Sequence, residues 1–214
     1  MILYRAKIFV FSLVFSLAFI PSIVLAQDQA PQTPLSYENV AMGIKIVGPT
    51  SWFANSGDKV QQAATKSVSE ITNLESIKEA VKKAGVLVVF SEYQLGSPVE
   101  YNPSLVLVTE PIPVDYIKSP IDLANASLMN IRAMFKDVKI IVQPEASKIG
   151  TKDVAHFVYE GTIVRGYLEI RIKSSVYLFI KDNAGYTIAC TDKVDHYSKN
   201  TNNFNAAVNS FIIK

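Results

Sequence analysis

The sequence predicts an α+β fold in which helices flank an antiparallel β-sheet. The first observation is the order of the predicted elements, which is strand, helix, hairpin, helix, long meander and helix. The second is the meander itself, because consecutive short strands joined by tight turns pair in antiparallel fashion. The third is that 49% of the 214 residues are hydrophobic, which is enough to bury the core of one domain.

The first 26 residues have the three parts of a cleavable secretory signal. Arg5 and Lys7 provide a positive start, residues 8–20 form an uncharged apolar run, and Pro21 interrupts that run before Ala26. We therefore expect export to the periplasm or the cell exterior, with cleavage after Ala26. The alternative is an uncleaved membrane anchor, which the shortness of the run disfavours, since a spanning helix needs about 20 apolar residues.

Charge and cysteine content narrow the function classes. The signal contains two of the 21 basic side chains and none of the 19 acidic ones, so its removal leaves 19 of each. This neutral balance, with no basic run longer than Lys82-Lys83, argues against electrostatic capture of nucleic acid. Cys190 is the one cysteine, so no internal disulfide can form and the core alone must stabilise the domain.

The mature chain begins with a leader and a first strand. Residues 27–36 contain two prolines and predict a flexible leader, and we place a single globular domain at residues 37–214. Alternating apolar side chains predict a strand at residues 42–47. Trp52-Phe53 is expected to follow in a turn.

Three helices are predicted, each from an apolar stripe. Residues 58–84 repeat apolar side chains every three or four positions, which predicts one helix or, alternatively, two helices that break near Asn73. A second helix must begin after Ser119, because Ser119 can cap it, Pro120 suits its first position and Asp122 completes a capping box. A third spans about residues 198–210. The side chains assigned to the core are Ile121, Ala124, Leu128, Ile131 and Phe135 on the second helix, and Phe204, Val208 and Phe211 with the third.

The remaining strands are predicted from β-branched and aromatic runs bounded by turn residues. Residues 86–93 and 103–109 are expected to pair as a hairpin. After the second helix, the predicted strands are residues 138–142, 153–160, 165–172, 175–181 and 186–191, with turns at 161–164, 173–174 and 182–185. The expected register sets Ile170 opposite Tyr177, Leu168 opposite Phe179, Phe179 opposite Ile188, and Tyr177 opposite Cys190.

One face of the predicted meander is a candidate for partner binding. It carries Glu169, Arg171, Thr187 and Thr191 among apolar residues, so it is only partly suited to burial. We expect a helix to cover this face or a partner to bind it. Glu169, Arg171 and Thr187 are the candidate partner-binding residues.

Four segments of the chain resemble the PsbP-like and DcrB-like superfamily. They are residues 37–52, which end in GPTSW, 103–106 (PSLV), 155–160 (AHFVYE) and 204–211 (FNAAVNSF), and the similarity covers most of the mature chain. The resemblance implies an α/β/α sandwich, a form often found in exported proteins, whose better-known members act by binding other proteins. It carries over no functional residue, because the shared positions are structural.

The sequence has no motif for common catalytic or cofactor chemistry. It contains no dinucleotide fingerprint, phosphate-binding glycine loop, nucleophile elbow or His-Glu-x-x-His motif. Cys190 with His196 and Asp192 or Asp195 resembles a nucleophile, a base and an orienting acid. The expected register instead points Cys190 inward, where a thiol is inert. The same two acids with His196 are plausible divalent-cation ligands, although acids before a helix more often cap it.

His156 and four aromatic residues stay without an assigned role. His156 alternates with valines in a strand, which is typical of a hydrogen-bonded structural histidine. The aromatic residues are expected to close one end of the sandwich, or alternatively to line a pocket or a partner surface; they are Trp52, Phe53, Tyr93 and Tyr101.

These observations predict an exported, non-enzymatic accessory or binding protein, with no cofactor, that contacts another envelope or secreted protein. One alternative is a carrier of a small apolar ligand held between the sheet and the helices. Another is a hydrolase that uses Cys190 and His196.

Overall fold

The structure is a computed structural model that describes residues 34–57, 60, 85–165 and 167–214. Outside the described residues lie the predicted signal at residues 1–26 and most of the leader. The predicted helix at 58–84 also lies outside them, apart from Val60. Within these ranges the strands are β1 (Ser36–Asn39), β2 (Ile44–Val47), β3 (Phe53–Ser56), β4 (Gly85–Ser91), β5 (Ser104–Pro111), β6 (Lys136–Ile149), β7 (Lys152–Arg165), β8 (Leu168–Lys181), β9 (Ala184–Lys193) and β10 (Ile212–Ile213). The helices are α1 (Pro120–Met134) and α2 (Tyr197–Asn209).

A seven-stranded antiparallel sheet forms the centre of the molecule, with strand order β3-β4-β5-β9-β8-β7-β6. Helix α1 packs on one face of the sheet, over β6, β7 and β8. Helix α2 packs on the other face, beside β9 and a small sheet of order β1-β2-β10. Each face buries its own apolar core. The predicted α+β class is confirmed.

Helix α1 begins where the sequence predicts. The Ser119 hydroxyl accepts a hydrogen bond from the Asp122 backbone N–H at 3.2 Å, and the Asp122 carboxylate accepts one from the Ser119 N–H at 2.8 Å. These bonds satisfy backbone donors that a helix start leaves free. The Ser119 hydroxyl also donates to the Asp122 carboxylate at 2.8 Å, and this bond, with the N–H groups of Lys118 and Ser119, lowers the pKa of Asp122. The capping box therefore fixes both the start and the direction of α1.

The predicted turns at residues 161–164 and 173–174 are wrong. Glu160 pairs with Lys173 and Gly161 with Ile172, so both segments lie inside one long hairpin of β7 and β8. The chain reverses between Arg165 and Leu168 instead. Polar residues at 173 and 174 fit a strand here for two reasons. Lys173 lies on one face of the sheet, where it is partly exposed. Ser174 is buried on the other face, where its hydroxyl hydrogen-bonds to the Thr191 hydroxyl. Ile170 consequently pairs with Ile163 and not with Tyr177, and Leu168 does not face Phe179.

The predicted four-residue turn at 182–185 contains only two residues outside the ladder. Asp182 and Asn183 both have left-handed backbone angles, with φ of 51° and 59°, as a tight two-residue hairpin requires. The register therefore sets Phe179 opposite Tyr186, Tyr177 opposite Ile188, and Ser175 opposite Cys190. The error at this turn is two residues, which keeps the side chains of residues 175–181 and 186–191 on their predicted faces.

Two other bounds differ from the prediction. Strand β6 extends over 14 residues, far beyond the predicted 138–142, because it pairs with almost the whole of β7 through three irregularities. Phe53 begins strand β3 instead of lying in a turn. The predicted strands at 42–47, 86–93 and 103–109 and the last helix agree with β2, β4, β5 and α2 to within a few residues.

The predicted shared face of Glu169, Arg171, Thr187 and Thr191 does not exist. With no turn at 173–174, Glu169 and Arg171 point to the α2 side of the sheet, where both are exposed. Thr187 pairs with Leu178 and points to the α1 side, where it is 1% exposed. The alternation of side chains along each strand therefore places Glu169 and Arg171 on the α2 side of the sheet and Thr187 on the α1 side.

Candidate functional site

A charged cleft lies beside the first residues of β8. Its volume is about 310 Å³, and it is lined by Glu100, Glu169, Ile170, Arg171, Lys193, Val194 and Asp195. Such a volume is at the lower end of the range for small-molecule and peptide side-chain sites. Two of the three residues that the sequence singles out, Glu169 and Arg171, therefore lie in one cavity.

The cleft exists because two neighbouring strands end at different levels. Strand β9 ends at Lys193, which pairs with Ile172, whereas β8 extends four residues further to Leu168. The Val194 N–H donates a last hydrogen bond of 3.0 Å to the Arg171 carbonyl oxygen. Beyond it, no described strand continues along the β9 side of β8.

Three ion pairs surround the cleft. Lys193 Nζ lies 2.9 Å from Glu100 Oε2, Lys136 Nζ lies 2.8 Å from Glu169 Oε1, and Arg171 Nη2 lies 3.3 Å from a carboxylate oxygen of Glu160. Hydrogen bonding to Glu100 and Glu169 raises the pKa of Lys193 and Lys136, respectively. Each pair has at least one side chain that is about half exposed or more, so the pairs add little to stability, and these charges stay available to a partner.

Asp195 gives the cleft an excess of negative charge. No cation lies within 4.0 Å of its carboxylate in the ranges that the structure describes, whereas each of the other acids at the cleft has one. The cleft and its ion-pair partners thus contain four carboxylates and three cations. An incoming positive group would find one carboxylate without a salt bridge.

Exposed apolar side chains border the cleft at the end of the β7–β8 hairpin. Val164 is 52% exposed, Leu168 is 40% exposed, and Tyr167 is fully exposed. Aromatic and aliphatic residues beside an arginine are typical of the contact centres of protein interfaces. Because Leu168 precedes Glu169 and Val164 pairs with Glu169, the hairpin end adjoins the cleft, and the two are candidates for one contact surface.

Sequence reasoning missed Glu100 and Lys193 and considered Asp195 only as a catalytic or metal-ligand candidate, because only the fold brings the loop before β5 and the end of β9 to the first residues of β8. Thr187 does not belong to the site. Its hydroxyl is buried on the opposite face and has no hydrogen-bond partner in the described part of the chain.

Cys190 is fully buried in the core beneath α2. Burial raises the pKa of its thiol, so the reactive thiolate is disfavoured. The prediction that Cys190 points inward is confirmed. Because His196 is exposed at the start of α2 while the thiol is inaccessible, the arrangement argues against a cysteine-dependent hydrolase.

Asp192 and Asp195 do not cap α2, contrary to the expectation. The residue before the helix is His196, and no side chain caps it. Asp192 is instead buried and accepts a hydrogen bond from Asn200 Nδ2 at 2.9 Å, while burial raises the pKa of Asp192. Among the described residues, no group of three or more His, Cys, Asp or Glu side chains is arranged to hold a metal ion.

His156 belongs to a polar cluster on the α2 side of β7. Its Nε2 lies 2.9 Å from Ser175 Oγ, its Nδ1 lies 3.7 Å from Glu145 Oε1, and its ring stacks on Tyr177 at 4.5 Å. Burial lowers the pKa of His156, and Glu145 opposes that effect. Its hydrogen bond to Ser175 and its stacking fit the structural role expected from the sequence.

The four aromatic residues do not line a common pocket. Trp52 is buried on the α2 side against Phe204, with ring centroids 5.7 Å apart, whereas Tyr101 is buried in the core on the α1 side. Tyr93 is 39% exposed. No helix among the residues that the structure covers is long and apolar enough to cross a membrane.

Comparison with known proteins confirms the fold. The chain is similar to the solution structure of cyanobacterial PsbP (CyanoP) from Synechocystis sp. PCC 6803, with 14% identity, a TM-score of 0.51, and coverage of 90% of this chain and 99% of that chain. It is also similar to LpqN, involved in cell envelope biogenesis of Mycobacterium tuberculosis, with 10% identity, a TM-score of 0.41, and coverage of 62% and 79%. No family model and no curated protein matches the chain. The fold is PsbP-like, as the resemblance implies.

Proposed function

We propose that this chain is an exported, non-enzymatic accessory protein that binds another envelope or secreted protein through the charged cleft and the adjoining hairpin end. The observation that carries the proposal is the position of Tyr167, Val164 and Leu168, exposed next to a cleft of paired charges. Apolar contacts supply affinity at a protein interface, and charges select the partner. The segment at residues 1–26 supports export, because it has the parts of a secretory signal.

The composition of the cleft favours a protein partner over a small apolar ligand. Five of its seven lining residues are charged, namely Glu100, Glu169, Arg171, Lys193 and Asp195. An apolar ligand would gain little there and would remove water from charged groups, which is costly. The cleft therefore does not favour the carrier alternative.

Replacing both Glu169 and Arg171 with alanine is expected to reduce capture of the partner by about tenfold or more, because the variant removes two charges from the cleft. Capture is measured by crosslinked pull-down from the native compartment, with bound protein quantified by mass spectrometry. The melting temperature should change little, since both side chains are exposed.

A matched control removes an exposed ion pair far from the cleft. Lys148 and Asp153 lie 3.4 Å apart at the other end of the β6–β7 hairpin, and alanine at both positions should leave capture unchanged. Equal capture by the wild type and the Glu169 and Arg171 double variant would refute the cleft as the binding site. An equal loss of capture in the control variant would show that removing an exposed ion pair anywhere has this effect, and it would also refute the cleft as the binding site.

A further inference from the structure

The side of β8 that faces the cleft is an unpaired strand edge. The Arg171 carbonyl points to the β9 side, since it accepts the hydrogen bond from Val194. In an antiparallel strand, the N–H and C=O of one residue point the same way, and alternate residues share that direction. The N–H and C=O of Glu169 therefore also point away from β7 and into the cleft, where no described strand pairs with them.

This edge differs from the two outer edges of the sheet. Strand β6 is interrupted by three register shifts and contains Pro144 and several lysines, which are features that prevent pairing with another chain. Strand β3, at the opposite edge, has only four residues. Residues Leu168–Arg171, in contrast, have a regular register with β7 and neither bulge nor proline. Because the Arg171 carbonyl already bonds to Val194, the free part of the edge is Leu168–Ile170, which is about 10 Å long at 3.3 Å per residue and has room for a short added strand.

The surroundings of the edge favour a basic segment. Glu100, Glu169 and Asp195 supply carboxylates, and Asp195 has no salt bridge to a described residue. Val194 supplies an apolar wall for the methylene groups of a long side chain. An apolar wall followed by a carboxylate suits lysine or arginine, whose stems pack on apolar surface while the charged heads reach an acid.

We propose that an extended segment of the partner protein adds as a strand to Leu168–Ile170 and places a lysine or arginine side chain beside Asp195. The proposal rests on the contact function above and names how the partner is held. Main-chain hydrogen bonds to Glu169 would give affinity, and the carboxylates would give specificity. Lys193 and Arg171 do not oppose the incoming cation strongly, since each already has an acidic partner.

Two variants at position 169 distinguish the contribution of the backbone N–H to partner binding from that of the side chain. Glu169→Pro removes the N–H that the added strand would use, while Glu169→Ala keeps it, and both lose the carboxylate. Because this N–H faces the cleft and not β7, proline should be tolerated as it is at other strand edges. We expect Glu169→Pro to bind the partner at least about tenfold more weakly than Glu169→Ala. Equal binding by the two variants overturns strand addition but leaves the contact function intact.

Synthetic peptides test the same edge without the partner. The probes are a blocked pentapeptide of alternating valine and lysine and its counterpart with glutamate, titrated into the ¹⁵N-labelled wild-type protein. We expect the lysine peptide to shift the amide signals of Leu168–Arg171 and to bind about tenfold more tightly than the glutamate peptide. Equal affinities, or signals at Leu168–Arg171 that do not move, would overturn the proposal whatever happens to the proline variant.

Discussion

Replacing Phe179 with alanine is expected to lower the free energy of unfolding by about 3–5 kcal/mol, the usual loss for a buried phenylalanine. Phe179 is fully buried, stacks on Tyr186 with ring centroids 4.9 Å apart, and contacts the Phe211 ring at 5.1 Å. It therefore joins β8, β9 and the segment after α2. The loss is measured by denaturant unfolding, from the shift in midpoint at unchanged slope.

Tyr167→Ala is the matched control for Phe179→Ala. The Tyr167 side chain is fully exposed, so the change in stability should stay within about 0.5 kcal/mol. A loss below about 1 kcal/mol for Phe179→Ala, or similar losses for both variants, would contradict the assignment of Phe179 to the core between the sheet and α2.

Asn200→Leu is expected to cost about 3 kcal/mol at pH 7, because leucine cannot donate the hydrogen bonds that Asn200 makes to two carboxylates. Asn200 Nδ2 donates to Asp192 Oδ2 at 2.9 Å and to Glu92 Oε2 at 3.0 Å. Without this donor, the buried Asp192 carboxylate keeps only the Lys193 N–H among its described hydrogen-bond donors and faces the nearby negative charge of Glu92. Denaturant unfolding at several pH values measures the effect.

The pH dependence of this loss follows from the pKa of Asp192. Burial raises the pKa of Asp192 in the folded protein, so above the unfolded value of about 3.9 the folded state binds more protons, and stability falls as pH rises. Loss of the Asn200 hydrogen bond raises the folded pKa further. The cost of Asn200→Leu should therefore be larger at pH 7 than at pH 4, where Asp192 can take up a proton. The exposed Asn205→Leu should change stability little at either pH, and a pH-independent cost for Asn200→Leu would contradict this account.

Local signals in the sequence were sufficient for much of the fold. The capping box at Ser119 needs only neighbouring residues, so it placed α1 correctly. The inward position of Cys190 was correct although its predicted partner, Tyr177, was wrong, because a shift of two residues preserves strand faces. The turn at 173–174 was predicted incorrectly because Lys173 and Ser174 are a polar pair between two apolar runs. Such a pair is typical of a turn, and only the pairing of β8 with its two neighbouring strands shows that it lies within a strand.

The candidate site was predicted only in part, for a physical reason. Glu169 and Arg171 could be identified from the sequence because they are charged residues within an apolar strand, which is a local property. Thr187 was grouped with them through the incorrect turn at 173–174, which reversed the parity of the strand that carries Glu169 and Arg171. The cleft itself arises because β9 ends before β8, and Glu100 reaches it from a separate loop. Neither fact is encoded in a short stretch of sequence.

The most direct test of the cleft as the contact surface is lysine-specific crosslinking in the native compartment, followed by mass spectrometry of the linked peptides. Lys136 and Lys193 flank the cleft, whereas Lys45 lies on the small sheet and Lys148 at the far end of the β6–β7 hairpin. We predict that peptides of a partner protein are linked to Lys136 or Lys193. Partner peptides linked only to Lys45 or Lys148 would contradict the account.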